Sequence, residues 1–265
     1  MRFDDQERHA YQRDGFVVRE RAFAAHEVDE IRGVVEEVMS QIVADAQSSD
    51  ALPAFALADG HRMQFSSDTF IQWEWAEGSR AVRLIEPFTH LDPRFATLWT
   101  DARFLDPMRD ALGATEVGPY TCKLNLKRPR EGSPFPWHQD YPYWYAFTPA
   151  TAHEIATVIL FLDDADAGNG ALRVLRGSHR GGPAPRDPSD ATRFLADPTR
   201  LDLSGEHVVE VPSGSLLFFP SLLVHRSTPN TSERQRRTIL LSFQPAGRPR
   251  QQELTWSPER VAELP

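Results

Sequence analysis

The stretch IATVILFLDD, residues 155–164, is a run of β-branched and apolar residues that stops at two acidic turn residues. That is the pattern of a strand closed by a turn. Segments of the same kind surround it. Upstream, TCKLNLK (121–127) alternates. Downstream, GNG (168–170) precedes ALRVLRG (171–177), and HVVEVP (207–212), SLLFFP (215–220) and RTILLSFQP (237–245) follow at short intervals. Gly, Pro, Asn and Asp stand between them, so this half reads as a β-sandwich or barrel of the jelly-roll kind. GNG suits a hairpin between two strands, because glycine and asparagine tolerate positive φ. Residues 180–205, rich in Pro and Asp, read as an insertion between strands.

The first half reads differently. Val28, Ile31, Val35, Val38 and Ile42 recur at three- and four-residue steps and predict a helix over residues 26–46. DGFVVRERAF (14–23) before it reads as a turn and a short strand, and residues 46–62 as a loop. A second helical pattern covers residues 93–113, with Pro93 placed to open it. No Gly- or Ser-rich linker divides the chain. The expectation is one domain over residues 1–265: a helical N-terminal part to about 115, a barrel core over about 116–245 and a tail over 246–265. The fold class expected is mainly β with α additions, the N-terminal helices packing outside the barrel.

Composition narrows the function classes. The 265 residues hold 29 Lys plus Arg against 38 Asp plus Glu, a formal net charge of −9. That balance argues against a nucleic-acid partner and, more weakly, against docking on anionic membrane lipid. A single cysteine, Cys122, leaves no internal disulfide and no cysteine-cluster metal site within one chain. With the polar N-terminus MRFDDQERHAYQRDGF, this sets a cytoplasmic expectation. SLLFFPSLLV (215–224) is too short and too proline-broken to span a bilayer.

Among nine histidines, one has a suggestive neighbour. PWHQDYPYW (136–144) sets His138 and Asp140 two residues apart, which on a strand aims both side chains to one face. Two histidines and one carboxylate on one face of an Fe(II) ion leave positions open for other ligands. The best third member is His225, at the end of the apolar run SLLFFPSLLVH; His153 and His179 compete with it. Past His225 come Ser227 and, eleven residues on, Arg236 at the mouth of an apolar strand, with Arg234 and Arg237 close by. An arginine entering a barrel is costly unless an anion meets it, and its fork suits a carboxylate.

DGFVV near the N-terminus, WHQD (137–140), GNGALRVLRGSH (168–179) and HRSTPN (225–230), with an arginine eleven residues past the histidine, together resemble the phytanoyl-CoA dioxygenase family. That family, which includes the ectoine hydroxylases, is a branch of the Fe(II)/2-oxoglutarate-dependent oxygenases. The resemblance spans roughly residues 11–245. It implies a double-stranded β-helix, a jelly-roll or cupin-like barrel. It implies Fe(2+), 2-oxoglutarate and O2 as cofactor and co-substrates, with His138, Asp140 and His225 as metal ligands and no catalytic side chain beyond them. By the same resemblance Arg236 meets the distal carboxylate of 2-oxoglutarate, Ser227 helps it, and Trp144, Asn125 and Arg83 lie near the co-substrate. Gln139, Tyr141 and Tyr143 are the candidate substrate-binding residues. The expected activity is hydroxylation of an unactivated C–H bond in a small organic metabolite, with succinate and CO2 formed. The alternatives are a cupin-type metalloenzyme that does not use 2-oxoglutarate, which needs no arginine for a dicarboxylate, and a non-catalytic binding barrel. The sequence leaves the oligomeric state open.

Overall fold

Capping sets the first element. The Glu7 amide donates to the Asp4 carboxylate and the Asp4 amide to Glu7, a reciprocal cap that opens helix α1 (Asp5–Asp14); Gly15 ends it at φ 86°. Strand β1 (Val17–Arg19) and helix α2 (Ala25–Ala46) follow, and α2 buries Val28, Val35, Val38 and Ile42 along one stripe. The structure, a computed structural model, describes residues 1–48, 51–57, 59–66, 68–75, 81–190, 192, 194–257 and 259–260.

Here the chain departs from the expected helical N-terminal part. Strands β2 (Phe55–Ala56), β3 (Arg62–Ser66), β4 (Thr69–Trp73) and β5 (Val82–Glu86) form an antiparallel run. The loop expected over 46–62 therefore contains β2 and ends at the start of β3. These strands are masked in the sequence because they bury polar groups: Gln64, Gln72, Arg83 and Glu86 are all inside. Tertiary hydrogen bonds compensate them, among them Gln64 to the Ala46 carbonyl and Arg83 to Gln72. The helical pattern at 93–113 divides at Asp101. A 3-10 segment (Pro93–Thr100) comes first, then helix α3 (Ala102–Ala111), capped by the Asp101 carboxylate on the Arg103 amide.

The barrel strands are β6 (Val117–Lys127), β7 (Phe135–His138), β8 (Ala156–Phe161), β9 (Leu172–Leu175), β10 (Glu206–Val208), β11 (Leu216–Pro220), β12 (His225–Ser227) and β13 (Arg236–Pro245), with a short helix α4 (Asp140–Tyr145) after β7. Among the described residues they make two antiparallel sheets. One runs β1-β11-β8-β13-β6-β5-β4-β3-β2, the other β10-β9-β12-β7. This is the double-stranded β-helix expected.

Alternation along each strand decides what lies between and behind the sheets. Ile159, Phe161, Leu217 and Phe219 pack with Leu172 and Val174 of the small sheet. Their neighbours Val158, Leu160, Leu216 and Phe218 pack in a cluster with Val35 and Ile42 of α2 and Phe104 of α3. The helices thus lie on the outer face of the large sheet. GNG does not close a hairpin: β8 belongs to one sheet and β9 to the other, so the segment crosses between them. Gly170 is required there, with φ 81° and a place for a Cβ only 2.6 Å from the Thr228 carbonyl oxygen. The 180–205 insertion lies against β7, through the Ala196 amide on the Trp137 carbonyl. In the tail, Gln251 is buried and Leu254 packs against the Tyr120–Trp144 cluster; residues 261–265 lie outside those described. No helix among the described residues is long and apolar enough to cross a membrane.

Candidate active site

Strand β12 lies between β9 and β7, and its pairing brings His225 into register with His138. The two ring centroids are 4.2 Å apart. Asp140 joins them, and one ligand atom from each of His138, Asp140 and His225 lies within 4.8 Å of the others. The route differs from the strand geometry expected. β7 ends at His138, Gln139 is the N-cap, and Asp140 is the first residue of α4. Pro142 in the first turn favours helix at this point. The strand-to-helix turn carries the Asp140 carboxylate back to the histidines.

Hydrogen bonds choose the tautomer. His138 Nδ1 is 2.7 Å from the Pro136 carbonyl oxygen, and His225 Nδ1 is 2.9 Å from that of Leu223. A carbonyl only accepts, so each Nδ1 carries a proton and Nε2 is the nitrogen left to face a ligand. Burial, and then the facing His225, hold the His138 imidazole well below the usual 6.5. Two imidazoles and a carboxylate converging from one side fit ferrous iron. The rival histidines lie elsewhere. His153 is exposed in a 3-10 turn, and His179 meets the Gln12 carbonyl near Gly15.

The cavity beside this triad is lined by Leu84, Lys123, Asn125, Phe135, Ser227, Arg236 and Thr238, among others. The three arginines separate clearly. Arg234 pairs with Asp166, and Arg237 pairs with Asp163 and Glu36. Arg236 points inward, is 3% exposed, and among the described residues gives one hydrogen bond, from Nη1 to Thr238 Oγ1 at 3.3 Å. Its Nε meets no acceptor among the described residues, and burial lowers its pKa to about 10. Such a guanidinium suits a ligand carboxylate. Ser227 lies two residues past His225 on the same face. Asn125 stands opposite Thr238 in register, its Oδ1 unpartnered among the described residues.

Other expected residues stand apart from the cavity. Arg83 spends its guanidinium on Ser133 Oγ, Gln72 Oε1 and the Pro134 carbonyl, with its plane over Phe135, and so fixes the approach to β7. Gln139 donates to the Gly182 and Leu222 carbonyls and accepts from the Ala184 amide. It ties the insertion to the barrel rather than facing the cavity. Trp144 is buried against Tyr120, ring centroids 5.6 Å apart, and Tyr141 packs on Tyr145. Tyr143 meets Lys123 of the cavity wall, whose ammonium lies 4.8 Å from its ring centroid.

Sequence reasoning missed a polar group at this wall. Lys123 lines the cavity and pairs with the buried Glu86 at 3.5 Å. Burial pushes the Glu86 carboxyl up, against the pull of Lys123. Lys127 donates to the Ser133 and Thr228 carbonyls, and burial, with the charges of Arg236 and Arg83, lowers its pKa to about 6. TCKLNLK carried a signal for the lysines: Thr121, Lys123, Asn125 and Lys127 share one strand face. Glu86 had none, because β5 itself was not apparent.

The chain is similar to known proteins. The phytanoyl-CoA dioxygenase family profile matches residues 11–238. The chain is 29% identical over 186 residues to L-proline trans-4-hydroxylase of Streptomyces griseoviridis, covering 63% of this chain and 69% of that protein. It is 27% identical over 248 residues to ectoine dioxygenase of Bordetella parapertussis, covering 88% and 73%. Its fold is similar to the crystal structure of EctD from S. alaskensis with 2-oxoglutarate and 5-hydroxyectoine. That match has a TM-score of 0.67 and 24% identity, and covers 92% of this chain and 76% of the other.

Proposed function

The chain belongs to the phytanoyl-CoA dioxygenase family, as an iron- and 2-oxoglutarate-dependent dioxygenase, and from that premise we propose that it hydroxylates an unactivated C–H bond of a small organic metabolite. The substrate is a natural-product intermediate or an amino-acid-like compound. The reaction consumes substrate, 2-oxoglutarate and O2 and yields hydroxylated product, succinate and CO2. His138, Asp140 and His225 hold the iron. When bound, that metal supplies the oxidising chemistry, O2 activation coupled to decarboxylation of the keto acid.

The protein's own residues bind and orient. The Pro136 and Leu223 carbonyls keep both imidazoles in the tautomer that presents Nε2. Arg236 takes the distal carboxylate of 2-oxoglutarate, with Ser227 and Asn125 beside it. Ile159, Leu172 and Leu240 line the same cavity and exclude water from it. The observation that carries the reading is the buried Arg236 guanidinium with an unfilled donor in the cavity of the triad. A cupin that makes no use of a dicarboxylate has no need of it. Oxygen-free mixing of protein, Fe(II) and 2-oxoglutarate tests this: a visible charge-transfer band requiring both additions supports it, and no band rejects it.

A further inference from the structure

We propose that the C-terminal tail, through Gln251, Leu254, Ser257 and Arg260, is a strap that fastens α4 and so positions the Asp140 carboxylate for the metal. This rests on the metal reading of the triad and adds the element that keeps one ligand in place. The three ligands are not supported alike. His138 and His225 sit on paired strands, whose register fixes them. Asp140 is the first residue of α4, a helix of six residues, and moves with it. So short a helix does not hold together alone, and α4 depends on what packs against it.

The start of α4 is tied to the barrel by the Tyr141 amide, which donates to the Ser221 carbonyl at 3.1 Å. Its far end is tied by the tail. The Ser257 amide donates to the Ala146 carbonyl at 3.1 Å. Arg260 Nη1 donates to the same carbonyl at 3.2 Å and to that of Phe147 at 2.8 Å. Ala146 is the C-cap, where a helix leaves its last carbonyls without partners of its own and where a cation meets the negative end of the helix. The tail also grips α4 from the side. Leu254 packs against the cluster of Tyr120 and Trp144, and Gln251 Nε2 donates to Tyr143 Oη at 3.3 Å. Trp144 and Tyr143 both belong to α4. Release of the tail leaves the two histidines in register and loosens the carboxylate alone.

The test uses Co(II) as the metal probe, its visible bands reporting binding to full-length, metal-free protein. Leu254→Ala combined with Arg260→Met is expected to weaken Co(II) binding about tenfold. The same pair is expected to speed hydrogen exchange at the amides of residues 144–148, while β6, β8 and β13 keep their protection. In an Asp140→Ala background the pair is expected to change Co(II) affinity by less than about twofold, because the strap acts through that carboxylate. Unchanged affinity in the protein that keeps Asp140, or an equal loss in both backgrounds, overturns the proposal. If the double variant does not fold, Arg260→Met, altered outside the barrel strands, decides in the same way. Asp140→Ala alone separates the two readings. If it leaves Co(II) affinity unchanged, the triad reading falls and the strap with it, whereas a loss from Asp140→Ala with none from the tail pair rejects only the inference made here.

Discussion

His138 and His225 face each other in register across β7 and β12, and each holds its Nδ1 against the carbonyl of the residue two positions before it. The same local device, used twice on adjacent strands, turns two Nε2 lone pairs toward one point. The cost is electrostatic. Buried and facing the His225 ring, the His138 imidazole is held from taking up a second proton.

The first expectation concerns pH. His138 is held neutral in the folded protein, with its pKa below 6.5, whereas in the unfolded chain it binds a proton once pH falls below about 6.5. The unfolded state then carries more protons, so the stability of metal-free protein falls as pH drops through that window. His138→Gln removes this contribution. Thermal melts between about pH 7.5 and about pH 5 are expected to show the variant gaining on wild type as pH falls. A constant difference across the range contradicts it.

Arg236→Met is expected to weaken 2-oxoglutarate binding about 10- to 100-fold, the loss implied by charge-assisted hydrogen bonds of about 1.5–3 kcal/mol. Titration of the co-substrate into iron-loaded protein without oxygen reads this directly. Arg234→Met, which removes only an exposed pair with Asp166, is expected to leave the affinity within about twofold.

Gln139→Ala tests a structural role. The substitution strands the Gly182 and Leu222 carbonyls and the Ala184 amide. We expect about 2–4 kcal/mol of lost stability in urea melts, with binding of 2-oxoglutarate retained at temperatures where the variant is folded. A stable variant with altered substrate selectivity would return Gln139 to the substrate site.

Arg83→Met is expected to behave in the same class. It uncouples Gln72, Ser133 and Pro134 around the entry to β7 and costs about 2–4 kcal/mol. Its effect on the dissociation constant for 2-oxoglutarate should be far smaller than that of Arg236→Met. Equal losses would place Arg83 on the co-substrate.

What could be read from the sequence follows from where each signal lives. The barrel strands β8 and β11 are apolar on both faces, one toward the small sheet and one toward the helices, and β13 carries Ile239, Leu241 and Phe243 on its helix-facing side, so their runs stood out. β3 to β5 did not, because Gln72, Arg83 and Glu86 are buried through tertiary partners that no local pattern reveals. HxD spacing found two members of the triad for an imperfect reason: Asp140 converges through a helix start, not a strand face. Gln139 lies between His138 and Asp140 in sequence and spends its side chain on the Gly182 and Leu222 carbonyls, and Trp144 packs on Tyr120, neither of which proximity along the chain can show. The resemblance singles out Arg236, and the structure adds a physical ground for it: its neighbours Arg234 and Arg237 already have carboxylates.

The most direct test of the central claim is the visible spectrum of the metal-free protein as Fe(II) and then 2-oxoglutarate are added without oxygen. A charge-transfer band that needs both additions, disappears in His225→Ala and weakens in Arg236→Met is the result expected. A wild-type protein that gives no band, or a band indifferent to His225→Ala, would contradict an iron centre held by His138, Asp140 and His225.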